Sequence, residues 1–331
     1  MTSLPEAAGA VTAVRRKRRF PIQGTDLILV GLAVASTIAL TITTGGNLLQ
    51  PATTRAVLQF LAVPIVIGLA QMVVLAVGQM NLSVGVLTGL SAIISAALMV
   101  DGGVTPWLAV PAAVAVGVVA GLINGLLVVA TRINGFIVTL ATMTVIAGLR
   151  YGVNGTGTYQ GYSDGLVDFG GSSVAGLPVV FIAAVLVAVA VAFYFRRTLS
   201  GRHLLASGGN PVAARLTGIS NDKSIVVAHT VSGLLAGVAG VLVLMLSGSV
   251  NTSIGDDLLL PSFAAPIIGG VALVGGAVSV LGTCLAAYLV RLVYVAQAQY
   301  NINPRWVDLV VGAVVLGAVL VSQSRQGKET S

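Results

Sequence analysis

Residues 179–193, VVFIAAVLVAVAVAF, carry no polar side chain. Similar apolar runs recur along the chain, separated by Gly, Pro, Asn and clusters of charge. A bilayer can solvate such segments on every face: its hydrocarbon layer is about 30 Å thick, and roughly 20 apolar residues in a helix cross it. A soluble core cannot bury so many. Composition agrees, because 56% of the 331 residues are hydrophobic and only 8% are charged, outside the range of ordinary soluble domains. Strands of a membrane barrel would alternate in polarity over about ten residues, and these runs do not. The sequence therefore predicts an all-α polytopic membrane protein.

Ten spans are expected, at 27–42, 56–77, 84–100, 107–130, 136–151, 177–195, 224–246, 261–274, 277–297 and 306–321. The RRKRR run before the first has no convincing cleavage site after it and further spans follow, so 27–42 reads as a helix rather than a signal peptide. The spans at 84–100 and 261–274 are short for a full crossing, which predicts tilted, broken or re-entrant segments. One membrane domain, 27–322, thus lies between a basic N-terminal tail, 1–26, and a C-terminal tail, 323–331. Lys and Arg favour the cytoplasmic side. With both termini inside, that side receives Arg15 to Arg19, Arg132, Arg196, Arg197, Arg202, Arg215, Lys223, Arg325 and Lys328, and only Arg55, Arg150 and Arg305 fall near the outer face. Asp101, Asp164, Asp168, Asp256 and Asp257 fall outside. The net charge of +7 then serves topology and anionic lipid headgroups rather than nucleic acid.

An energy source inside the chain is not expected. A phosphate-binding loop needs Gly-x-x-x-x-Gly-Lys-Ser/Thr, and none of the three lysines has that context. Ion-coupled carriers place carboxylates at mid-membrane, whereas Asp26 and Asp308 lie near span ends. Two distant histidines, His203 and His229, and the lone Cys284 offer neither a catalytic cluster nor a metal site, and no disulfide. A pore or a transporter driven by a partner fits better than an enzyme. An autonomous carrier or channel remains the alternative from a different class.

One polar stretch interrupts the apolar pattern: GGNPVAARLTGI, from Gly208 to Ile219. Asn210 is a helix cap, Pro211 suits the first helical position, and Gly218 ends the helix. The residues alone leave two readings, an ordinary capped loop helix or a docking element.

Four blocks resemble the sugar-type permeases of ABC importers, the family of the ribose, xylose and autoinducer-2 permeases. VLAVGQMNLSVGVLTGLSA (74–92) is similar to their Gly-Gly-Ile-Asp-Leu-Ser-Val-Gly signature, and INGFIVTLATMTVIAGL (133–149) to their Phe-Ile-Val-Thr-Leu-Gly-Thr segment. GRHLLASGGNPVAARLTGI (201–219) resembles their cytoplasmic loop, and PIIGGVALVGGAVSVLGT (266–283) their late glycine-rich segment. The resemblance implies a type II-like importer permease of the bacterial inner membrane, working by alternating access. It implies partners too: ATPase subunits that bind ATP and Mg, a second permease copy or a homologous permease, and an extracytoplasmic sugar-binding protein. The chain itself would hold no cofactor and no metal. A branched-chain amino-acid permease is the nearest alternative.

By the same resemblance, the loop 196–223 carries the coupling helix. Gly201, Arg202, Gly208, Gly209, Asn210 and Pro211 shape it, Ala213, Ala214 and Gly218 permit close approach, and Arg202 and Arg215 contact the ATPase. Gln79, Asn81, Ser83, Thr139 and Thr142 are candidates to line the substrate path, with close helix packing as the competing explanation. A helical threonine can simply bond its own preceding carbonyl. Asn81 stands where the family has Asp, and Gln79 where it has Gly, so no role of that acid transfers. Gly78, Gly85, Gly269, Gly270, Gly275, Gly276 and Gly282 are expected at helix contacts, and the spacing from Gly275 to Gly282 repeats that from Gly78 to Gly85. Arg291 and Asp308 are expected to form a structural ion pair, His229 to be packed and hydrogen-bonded, and His203 to be exposed.

Overall fold

A computed structural model describes residues 24–303 and, beyond them, only Trp306, Leu309, Gly312, Ala313, Leu316 and Gly317. The basic N-terminal run, nearly all of the expected span 306–321, Arg305, Asp308 and the C-terminal tail lie outside the described residues.

The helices are α1 (Gly24–Thr43), α2 (Pro51–Leu75), α3 (Val84–Val100), α4 (Pro106–Thr131), α5 (Gly135–Asn154), α6 (Asp164–Gly171), α7 (Val179–Arg197), α8 (Leu199–Gly209), α9 (Pro211–Leu216), α10 (Asn221–Leu246), α11 (Leu259–Ile268) and α12 (Val280–Gln299). Among the described residues seven are long and apolar enough to cross a membrane: α1, α2, α4, α5, α7, α10 and α12. The short pair, α3 and α11, adjoins two breaks in helical structure, 76–83 and 269–279. The expected helix 261–274 therefore stops at Ile268, where Gly269 caps it and Gly270 turns the chain with φ +81°.

Burial orders the bundle. The hydrophobic window of α2 is 78% buried and that of α10 61%, against 17% for α1 and 22% for both α5 and α7. Two central helices are thus wrapped by others whose outer faces remain apolar and exposed, as contact with lipid or a neighbouring subunit requires. Between helices in lipid, close packing replaces the hydrophobic effect as the adhesive force. The broadest contact, α4 against α10, shows how. Gly117, Gly121 and Gly125 recur at every fourth residue along α4, and a methyl group on any of them would strike the backbone of Gly233, His229 or Val226 on α10.

Two small pairings, β1 (Thr158–Gln160) with β4 (Ser249–Asn251) and β2 (Ser173–Val174) with β3 (Leu177–Pro178), lie at one end of the bundle. There α6 rests on the end of α10 through Gly170, which has no room for a side chain beside Met245. Tyr162 is buried nearby and donates its hydroxyl to the carbonyl of Leu244 at 2.6 Å. The starts of α1, α5, α10 and α12 gather at the opposite end with α8 and α9, where Arg132 and Asp222 join α4 to α10 by two hydrogen bonds of 2.7 and 2.9 Å.

Candidate coupling end and polar centre

After α7 the chain does not enter an open loop. Thr198 caps α8 by accepting from the amide of Gly201 at 3.0 Å, and Gly201 fits against the carbonyl of Tyr194 because it has no side chain. The helix therefore folds straight back on the end of α7. Arg202 is exposed, its Nε donating to the Thr198 carbonyl at 3.3 Å. At the far end Asn210 Oδ1 accepts from the amides of Val212 (3.1 Å) and Ala213 (3.0 Å), with Pro211 in the first helical position of α9. Gly218, at φ +83°, closes that helix: its amide donates to Arg215 O at 3.0 Å and that of Ile219 to Ala214 O at 2.9 Å, the paired bonds of a Schellman motif. Asn221 ties both helices to α10, donating to Pro211 O and accepting from Ser207 Oγ, each at 2.9 Å.

What α9 presents outward is not quite what its sequence suggests. Ala213 and Arg215 are exposed, but Ala214 is buried in the chain itself, because a helix of this length docked on one side must turn one face inward. Val212 and Leu216 protrude instead, 66% and 85% exposed. Gly218 has open space around it and, at φ +83°, makes the backbone turn that ends α9.

Gly208 and Gly209, expected in a surface loop, end α8, and Gly208 is buried. A methyl group on Gly208 would strike the carbonyl of Ala76 and lie 2.7 Å from the amide of Gly276. Those two groups are bonded to each other, Gly276 N–H donating to Ala76 O at 3.0 Å. Beside them Gly275 (φ +94°) and Gly78 (φ +70°) approach so closely that a methyl group on Gly275 would sit 2.7 Å from Gly78 N. Three segments, the end of α8 and the two helix breaks, therefore meet backbone to backbone. Gly85 under Gly255 and Gly269 against Gly282 also mark close contacts, whereas Gly270 is exposed and serves the turn at φ +81°. Asp26 joins the same region by accepting from Ser279 Oγ at 2.8 Å, while Ser279 caps α12 through Gly282 N at 2.9 Å.

In the first break Gln79 is half-buried, while Asn81 and Ser83 face no open path in this structure. Asn81, Ser83 and Thr139 are fully buried. Asn81 Oδ1 accepts from Ser83 N (3.0 Å) and Oγ (2.6 Å), and its Nδ2 donates to Ser232 Oγ on α10 at 3.1 Å. Asn124 on α4 donates to Ser83 Oγ at 2.9 Å. Thr139 on α5 accepts from Leu82 N at 3.0 Å, and Gln79 from Gly135 N at 2.8 Å. An exposed break would satisfy these groups with water; here neighbouring helices do so. Thr142 bonds its own helix, to Thr139 O at 3.3 Å. His229 is fully buried as expected, yet among the described residues neither ring nitrogen has a hydrogen-bond partner. His203 is exposed.

Residues 52–319 match the family described as branched-chain amino acid transport system / permease component. The chain belongs to this family. A fructose import permease of Rhizobium meliloti is 30% identical over 88% of this chain and 83% of its own length. An L-arabinose ABC transporter permease of Azospirillum brasilense is 29% identical over 98% of this chain and 94% of its own. An autoinducer 2 import system permease of Klebsiella pneumoniae is 32% identical over 78% of this chain and 79% of its own. No solved structure gives a significant match. Within its family the chain groups with sugar-type ABC importer permeases, as its four motif blocks imply.

At the other end of the permease lies a group that sequence reasoning passed over. Arg150, counted only as a charge near the outer face, is 2% exposed. Its guanidinium donates to Ile254 O at 2.7 Å and to Asp256 at 2.5 Å. It packs against Gly89, where a side chain would collide with both Ile254 and Arg150. The partners are about a hundred residues apart along the chain, so no local pattern announces the pair. Asp256 borders a cavity of about 780 Å³. Arg291 faces the same cavity, its guanidinium 5.0 Å above the ring of Phe60; Asp308, its expected partner, lies outside the described residues. Among the described residues no group of His, Cys, Asp and Glu is arranged to hold a metal.

Proposed function

We propose that this permease is the membrane subunit of a binding-protein-dependent sugar importer and that α9 is where a separate ATPase drives it. One observation carries the reading. The exposed Val212 and Leu216 sit on a helix capped at both ends, and α8, which holds it, is joined at Gly208 to the hydrogen bond between the two helix breaks. A push on α9 has a stiff route to the places where membrane helices are interrupted.

In this account about ten spans cross the inner membrane with both termini cytoplasmic, and the permease pairs with a second copy or a homologue. Two ATPase subunits dock at α9, and an extracytoplasmic protein delivers cargo to the end that carries Arg150. ATP chemistry belongs to the partner. The permease contributes a two-state element: displacement of α8 shifts Ala76 and Gly276 together, the Asn81–Ser83–Asn124–Ser232 network changes partners, and the population moves between inward and outward openings. The relatives named for fructose and L-arabinose import favour a sugar cargo, and the neutral hydrogen-bonding groups of the chain suit one.

The test is uptake of labelled sugar into vesicles that contain the permease, its ATPase and its binding protein. Uptake that needs ATP and all components, and that excess leucine does not compete, supports the reading. Uptake without ATPase or ATP would make the chain a carrier or channel, and competition by leucine would return it to amino-acid transport.

A further inference from the structure

We propose that the 780 Å³ cavity between α2, α10, α11 and α12 is a subsite for a neutral polyhydroxylated cargo, held between Arg291 and Asp257. This rests on the sugar-importer reading and names the residues that would take the cargo.

The other cavities offer less. One of about 490 Å³ between α1 and α12 is almost wholly apolar, and one of about 630 Å³ beside α7 carries Asp26 and Arg196, both already engaged, Asp26 with Ser279 among its partners. A third, of about 350 Å³ by α6, has Asp164 and Asp168 but no cationic side chain in its lining. Among these, the 780 Å³ cavity sets a cationic side chain and two neighbouring carboxylates, Asp256 and Asp257, against apolar walls. Arg150 holds Asp256 at 2.5 Å and anchors the turn through Ile254 O. Asp257, next in the chain, has no ion pair among the described residues. Phe60 holds the guanidinium of Arg291 by its ring face, and Arg291 Nε has no hydrogen-bond partner among the described residues.

The cavity thus offers a pure donor and a pure acceptor. A sugar hydroxyl does both, so adjacent hydroxyls can accept from the guanidinium and donate to the carboxylate. Val63, Leu246 and Pro261 supply apolar wall for the C–H face of a ring. With Asp256 neutralised by Arg150, Arg291 and Asp257 balance in charge, which suits an uncharged cargo. The space exceeds one monosaccharide, leaving room for part of its hydration shell.

The experiment has two arms. In vesicles with ATPase and binding protein, Asp257→Asn and Arg291→Gln should each lower D-fructose or L-arabinose uptake by about tenfold or more, the size of one charge-assisted hydrogen bond. Arg291→Lys should recover part of the loss. Uptake equal to wild type in both variants overturns the proposal. The second arm does not depend on transport: Ser247→Cys, in a Cys284→Ser background, places a thiol at the cavity wall for maleimide labelling. Excess D-fructose or L-arabinose should slow labelling. Slowing by leucine and by neither sugar overturns the proposal, as does labelling that no sugar changes. Sugar protection without ATP-driven uptake would leave the subsite standing and sink the importer reading instead.

Discussion

The amide of Gly276 donates to the carbonyl of Ala76 at 3.0 Å, joining two helix breaks that lie 200 residues apart in sequence. Gly208 covers this bond from α8. Together the three make the joint through which motion of α9 is proposed to reach the membrane helices.

Side-chain space at the joint predicts a contrast between neighbours. Gly208→Ala puts a methyl group into the Ala76 carbonyl, whereas at Gly209 the nearest atom, Gly276 Cα, is 3.6 Å away. Overpacking costs about 1–3 kcal/mol. Gly208→Ala should therefore lower the thermal midpoint of the solubilised protein and reduce uptake, and Gly209→Ala should leave both near wild type. Thermal unfolding of the two variants side by side reads this directly.

Asn81 uses both halves of its amide, accepting from Ser83 and donating to Ser232. Asn81→Asp removes the donor and adds a buried charge, an expected loss of about 2 kcal/mol or more. The variant should insert but unfold at a lower temperature. An unchanged midpoint would mean that the network contributes nothing to stability.

Burial pushes the Tyr162 hydroxyl up from 10.0 to about 12. A raised acid favours its protonated form in the folded state, so its contribution is complete below pH 10 and is lost as pH rises toward 12. The stability advantage of wild type over Tyr162→Phe, about 1 kcal/mol for one hydrogen bond, should hold at neutral pH and shrink through that window. A gap that stays constant above pH 10 would contradict the burial of this hydroxyl.

Val212 and Leu216 touch little of their own chain. Val212→Asp and Leu216→Asp should change stability by no more than about 0.5 kcal/mol, while ATPase co-purification and uptake fall together.

How far the sequence announced this structure depended on whether the signal was local. The Asn210 cap, Pro211 and the Gly218 stop act within a few residues, and α9 could be read from them. Helix α8 could not: LSGRHLLASGG is rich in Ser and Gly and resembles a loop, and its helix is held by the fit of Gly201 on Tyr194 and of Gly208 on Ala76. The end of α11 at Ile268 was missed because 271–274 are apolar enough to suggest more helix, while Gly269 and Gly270 turn the chain. Polar residues at 79–83 looked suited to a water-filled path, but only tertiary structure shows Asn124 and Ser232 taking the place of water. The Arg150–Asp256 pair has no local signature. The fourfold spacing of Gly117, Gly121 and Gly125 stands in the sequence of α4, but only its packing on α10 shows what that spacing is for.

The central claim, that α9 meets the ATPase, is tested most directly by a photo-crosslinking side chain at Leu216, with Phe169 on α6 as the exposed control from the opposite end. The account predicts crosslinking to the ATPase subunit from position 216, changed in yield by ATP, and none from position 169. Crosslinking from 169 and not from 216 would contradict both the orientation and the coupling role.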